Sequence, residues 1–129
     1  RQGKSSGLGF YRYSSKQRTP DRSVYRELPN PERVNMKGAV ISERCLYAFL
    51  NECAFCLQEE ILRNPRDGDV GAVFGLGYPP FHGGPFHHMD SIGLKQVVEN
   101  LERLTKEHGE RFEPAQILRD MAAKDKTFF

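Results

Sequence analysis

Two neighbouring thiols and three neighbouring imidazoles are the groups in this sequence with the widest chemical reach. Cys53 and Cys56 have the Cys-x-x-Cys spacing at which two thiolates can share a metal ion or exchange a disulfide. No second Cys or His pair with partner spacing accompanies them, and Cys53 falls on an apolar helical line. Packing is therefore the expected role of Cys53, and of Cys45, because a free cysteine behaves as a small hydrophobe. His82, His87 and His88 gather within seven positions, where a neutral imidazole can serve as a general base or a ligand. A histidine alone does not make a site, and Asp90 is the one carboxylate that the sequence places to orient one. Solvation or an interface is the expected role of the imidazoles, and a hydrogen bond to backbone near the Pro79 to Pro85 loop is expected for Asp90. Gly7-x-Gly9 and Gly75-x-Gly77 are pieces of a phosphate-binding loop, but neither lies between a strand and a helix with a third glycine following. No catalytic, cofactor-binding or metal residue is assigned in this chain.

The bulk properties exclude several classes. At 129 residues the chain suits one compact core. Apolar residues make up 38 %, charged residues 28 %, and the net charge is +2, which implies neither disorder by self-repulsion nor a field for nucleic acid. No apolar run approaches the roughly 20 residues of a membrane span, and no apolar signal core opens the sequence. Three cysteines within twelve residues favour a reducing compartment over a disulfide framework. Arg1 stands where an initiator methionine is usual, so a fragment of something longer is expected.

The elements that must position these groups are helices. Ile41, Cys45, Phe49, Cys53, Leu57 and Ile61 recur at i+4 steps, flanked by Leu46, Leu50 and Ala54, and predict a long amphipathic helix over 41–62. Ala48, Phe55 and Leu62 form a second apolar line, which predicts neighbours on two sides. Asn64-Pro65 and Asp67-Gly68 break it, and Asp69 is expected to cap a short helix running through Val70, Val73 and Phe74 to a stop at Gly77. Pro79 and Pro80 stiffen the next loop, Gly83 and Gly84 let it pass close to other backbone, and Pro85 occupies a first-turn position before Phe86, Met89 and Ile92. A fourth helix follows Gly93, with Leu94, Val97, Val98, Leu101 and Leu104 on one stripe and Glu99/Arg103 and Glu102/Lys106 as surface pairs. Gly109 ends it, and Pro114 opens the last helix with Ile117, Leu118 and Met121 inward. Period-two alternation is nowhere sustained, so strands are not expected. Residues 14–40, with Pro20, Pro29 and Pro31 among polar and charged neighbours, have linker composition.

The run Asp69-Val70-Gly71-Ala72-Val73-Phe74-Gly75-Leu76-Gly77-Tyr78-Pro79-Pro80-Phe81-His82-Gly83-Gly84-Pro85-Phe86 resembles the C-terminal domain of the 3-hydroxyacyl-CoA dehydrogenase family, in the form found in multifunctional β-oxidation α subunits. The likeness extends through Asp90-Ser91-Ile92-Gly93 and Phe112-Glu113-Pro114-Ala115, and backward to Asn51-Glu52 and Gln58-Glu59-Glu60. Lys4 to Tyr13 is similar to the segment that ends the preceding helical domain of that family. The resemblance implies an all-α fold, a compact bundle of about five helices like the 6-phosphogluconate dehydrogenase C-terminal domain. It implies a tail of the preceding helical domain at 1–13, a linker at 14–40 and a second helical domain at 41–129 that pairs with its predecessor. It implies that catalysis, by a His-Glu couple with NAD, sits on a Rossmann domain outside this chain. Gly75, Gly77, Pro79, Pro80, Gly83, Gly84, Pro85, Phe86, Asp90 and Phe55 are then candidates for a structural loop and domain interface. A thiolase β subunit is a further partner, the isolated chain is expected to self-associate, and bacterial cytoplasm is favoured over mitochondrion or peroxisome. A free-standing acyl-CoA-binding helical module, or a small enzyme using His87, His88 and Asp90, is the alternative.

Overall fold

The computed structural model describes residues 1–29 and 35–129. Part of the stretch read as a linker, including Pro31, thus lies outside the described residues. The chain divides into two compact units, Arg1–Met36 and Lys37–Phe129.

The first unit contains a feature that the sequence reading excluded. A short 3-10 turn, Lys4–Ser6, leads into β1 (Tyr11–Tyr13), which pairs antiparallel with β2 (Arg18–Pro20) in the register Tyr11 to Pro20 and Tyr13 to Arg18. Three residues are too few to show alternation, which is why the pattern gave no warning. Pro20 tolerates its place because a two-stranded ribbon has only edges. A second 3-10 turn, Arg22–Glu27, starts at Asp21, whose buried carboxylate accepts from the Ser23 amide and from Arg1. Those bonds hold the Asp21 carboxyl down at about 2, the Ser23 amide contributing most.

The second unit is all-helical and built from α1 (Gly38–Gln58), α2 (Pro65–Leu76), α3 (Pro85–Ile92), α4 (Leu94–His108) and α5 (Gln116–Ala123). Its core joins Leu50 and Ala54 of α1, Phe86 and Met89 of α3, Leu94, Val97, Leu101 and Leu104 of α4, and Leu118 of α5. The α4 stripe read from the sequence is the buried one, with Val98 at its edge. The expected Glu99/Arg103 pair is replaced: Arg103 reaches Glu43 on α1 and Glu107 on its own helix, while Glu102 binds Arg119 of α5.

α1 buries one edge of the predicted face. The flanking Leu50 and Ala54 point inward with Tyr47 and Asn51, whereas Ile41, Cys45 and Ile61 are exposed and Phe49, Cys53 and Leu57 are half-buried. A strict i+4 line advances 40° per step on a 3.6-residue helix and spirals off any fixed face within a few turns, whereas alternating steps of three and four stay on it. Of the second line, Phe55 and Leu62 pack against the bundle's own core and Ala48 is exposed. Asn51, 2 % exposed, donates to the Glu113 carbonyl at 2.7 Å and accepts from the Ala115 amide at 2.9 Å, clamping the turn into α5.

Candidate functional site

The glycine and proline run forms a packed junction between α2 and α3. α2 begins one turn earlier than predicted, because Asn64 caps it through the Asp67 amide and Pro65 takes the first helical position. Asp67 and Gly68 are therefore helical, and Asp69 is not a cap of its own helix. Gly68 is needed where it stands: a Cβ there would lie 2.4 Å from the Phe86 ring and 2.9 Å from Leu62. Gly77 ends α2 in the left-handed conformation at φ 74, donating to Ala72.

Asp69 supplies what α3 lacks. α3 starts Gly84-Pro85-Phe86, and Gly84 brings no side chain to cap it. The Asp69 carboxylate, buried to 3 % exposure, crosses from α2 and accepts the Phe86 amide at 2.7 Å with one oxygen and meets His87 Nδ1 at 2.7 Å with the other. Gly84 makes this approach possible. Its φ is +119, and a Cβ on it would sit 2.4 Å from the Asp69 carboxyl. The sequence signal for Asp69 was indirect: an uncapped Gly-Gly-Pro start needs an acceptor from elsewhere, and Asp69 shares a helix face with the small residues Gly68 and Ala72.

The imidazoles are brought together, though not around Asp90. His87 is held by Asp69 and stacks on Phe129 with ring centroids 3.8 Å apart. His88 Nδ1 lies 2.6 Å from the Tyr78 hydroxyl, and its ring lies parallel to that of His82 at 3.8 Å. Asp90 does bind backbone, but at the far end of the chain and not at the loop: its two oxygens accept the Phe128 amide, each at 3.0 Å, and one also accepts the Phe129 amide. Phe128 in turn packs edge-on against Phe86.

The surface beside this junction is apolar. Phe49, Cys53 and Cys56 of α1 face Gly71, Ala72 and Leu76 of α2 across an open groove of about 230 Å³. Val70 (51 %), Phe74 (85 %) and Leu76 (73 %) of α2, and Phe81 (82 %) of the loop, stand exposed. The packing expected of the cysteines holds in part for Cys53 and fails for Cys45. Cys45 is exposed and Cys56 lines the groove, while Cys53 lines it too and touches the core with one side. Burial pushes the Cys53 thiol up to about 12, and the nearby Cys56, Asp69 and Glu52 add to that. Among the described residues no three His, Cys, Asp or Glu side chains are grouped to hold a metal ion. No helix among them is long and apolar enough to cross a membrane.

The sequence profile described as "3-hydroxyacyl-CoA dehydrogenase, C-terminal domain" matches residues 40–127, most of the chain. The chain belongs to that family. This C-terminal dehydrogenase domain is 48 % identical over 131 residues to the fatty acid oxidation complex subunit alpha of Idiomarina loihiensis, with all of the chain and 18 % of the relative covered. It is 45 % identical over 131 residues to the protein of the same name from Shewanella oneidensis and 44 % identical over 135 residues to that from Shewanella sp. strain MR-7, covering 19 % of each. The chain thus spans about a fifth of the length of the curated relatives it matches. A dehydrogenase of this kind implies NAD, and the glycines present do not fit it. Gly75-x-Gly77 lies at the C-terminal end of α2, and Gly7-x-Gly9 lies between a 3-10 turn and a hairpin, so neither opens a helix onto a pyrophosphate.

Proposed function

We propose that this chain is the C-terminal helical part of an α subunit of the fatty acid oxidation complex, and that its own work is to pack against the dehydrogenase domains preceding it. In this reading residues 1–13 end the preceding helical domain, 14–40 link, and 41–129 form the second helical domain. The whole protein oxidises 3-hydroxyacyl-CoA with NAD and hydrates enoyl-CoA on polypeptide outside this chain. A thiolase β subunit is its further partner, and bacterial cytoplasm is its place, in keeping with the bacterial relatives.

The observation that carries the reading is the apolar face of α2. Val70 and Phe74, one turn apart, are both exposed, and large apolar side chains gathered on one face mark an interaction surface. Phe74 and not Phe55 is the residue that tests the pairing, since Phe55 helps to close the domain's own core. Purified chain given 3-hydroxybutyryl-CoA and NAD should form no NADH at 340 nm. It should also self-associate in sedimentation, with Phe74→Glu returning it to a monomer. Measurable turnover, or a wild-type monomer at all concentrations, would reject the proposal.

The Asp69–His87 couple is the feature closest to the alternative of a small enzyme. It is accounted for as a helix cap, and the groove is lined by other residues.

A further inference from the structure

The loop before α3 is fastened by an imidazole stack that the domain's packing does not itself demand. His82 closes the 3-10 turn Pro80–His82, and His88 stands within α3. Their rings are 6° from parallel with centroids 3.8 Å apart. The stack belongs to a longer array, in which Phe49 of α1 stacks on Tyr78 at 5.3 Å and Phe81 lies 4.5 Å from His82.

The protonation of this array is defined by its surroundings. Burial pushes the Tyr78 phenol up to about 12, and the neighbouring Cys53 and Asp69 add to that. The phenol therefore keeps its proton and donates it to His88 Nδ1, which leaves the His88 proton on Nε2. Burial also pushes His88 below the ordinary imidazole value, and the nearness of His82 lowers it further. Cys53 from α1 and Asp69 from α2 act on the Tyr78 phenol, which meets His88. Asp69 is already engaged by the Phe86 amide and His87. A second positive charge in the stack faces the first at this separation, and like charges oppose one another.

We propose that the His82–His88 stack is a proton-sensitive clasp, which holds the Pro79–Gly84 loop on α3 while the rings are uncharged and parts when both are charged. Parting moves Phe81, an exposed apolar residue of that loop. The consequence that this weakens domain pairing rests on the function proposed above; the clasp itself does not. The sign follows from the depressed His88 value. Its contribution is fully present above the unfolded imidazole pKa of about 6.5 and is lost as pH falls through the lower folded value.

The test uses the 129-residue chain labelled with 13C and 15N. Histidine Cε1–H signals are followed from pH 8 to pH 4.5, and amide exchange of the loop is measured against α4 amides as internal reference. The clasp predicts a His88 midpoint below about 6.5 and, at the acid end, loop exchange accelerated roughly tenfold or more relative to α4, as expected for a local opening. In His82→Phe, which keeps a ring without its charge, the His88 midpoint rises and the loop stays protected in acid. An unchanged His88 midpoint in that variant would overturn the proposal. So would equal loop protection at both pH extremes in the wild type, a result that needs no variant to fold. Failure of self-association with an intact clasp would reject the docking reading alone.

Discussion

Asp69→Ala removes the carboxylate of α2 that caps the start of α3, and the structure sets the scale of the loss. The Phe86 amide is left buried without an acceptor, which costs ~1–3 kcal/mol. Loss of an N-terminal cap costs ~0.5–2 kcal/mol by a separate measure, but this is the same hydrogen bond and is counted once. The His87 arm is half-exposed and adds at most about 1 kcal/mol. The whole change should be about 1–4 kcal/mol. Asp69→Asn keeps an oxygen for the Phe86 amide and should cost roughly half as much, about 0.5–2 kcal/mol. Urea unfolding followed by far-UV circular dichroism measures both, and unchanged slopes would assign the midpoint shifts to stability. An alanine variant within about 0.5 kcal/mol of wild type, the usual range for inconsequential surface changes, would refute the trans-capping account. Equal losses for asparagine and alanine would show that charge, and not the cap, decides.

Three other outcomes follow from the same geometry. Gly84→Ala, with a φ of +119 and a new Cβ 2.4 Å from the Asp69 carboxyl, should destabilise by about 3 kcal/mol or more in the same urea experiment; a loss under about 1 kcal/mol would contradict the close approach. Thiol titration with a disulfide reagent at pH 8 should modify exposed Cys45 ahead of Cys53, whose value of about 12 leaves a thiolate fraction of about one in ten thousand; equal rates in the folded protein would count against it. Asp21, depressed to about 2, supports its turn fully above the ordinary carboxylate range and loses that support as pH falls toward 2. The hairpin's amide signals should therefore persist at pH 3 and shift below it, and a midpoint near 4 would show that Arg1 and Ser23 do not hold the carboxylate.

The sequence marks where helices stop more clearly than which way they face. Gly77, Gly93 and Gly109, with Pro85 as a first-turn residue, place the ends of α2, α3 and α4 because backbone conformation at those points is a local property. The α4 stripe was equally legible, since its five apolar residues share one face amid charge. α1 was not, because apolar residues surround most of its circumference and only the three-dimensional neighbours distinguish Leu50 and Ala54 from Cys45 and Ile61. The role of Asp69 was hidden for a similar reason. Its two partners lie seventeen and eighteen residues on, and no local spacing rule connects a helix interior to the start of the next helix. The hairpin escaped notice because each strand has only three residues.

The central claim is that the outer side of α2 is a buried surface in the longer protein. Hydroxyl-radical footprinting of the isolated chain at dilution and of a complete fatty acid oxidation α subunit carrying this domain compares the two states directly. Val70, Phe74 and the loop's Phe81 should be labelled in the isolated chain and protected in the subunit, while exposed Ile41 serves as a control for reagent dose. Equal labelling of the three in both states would contradict the account.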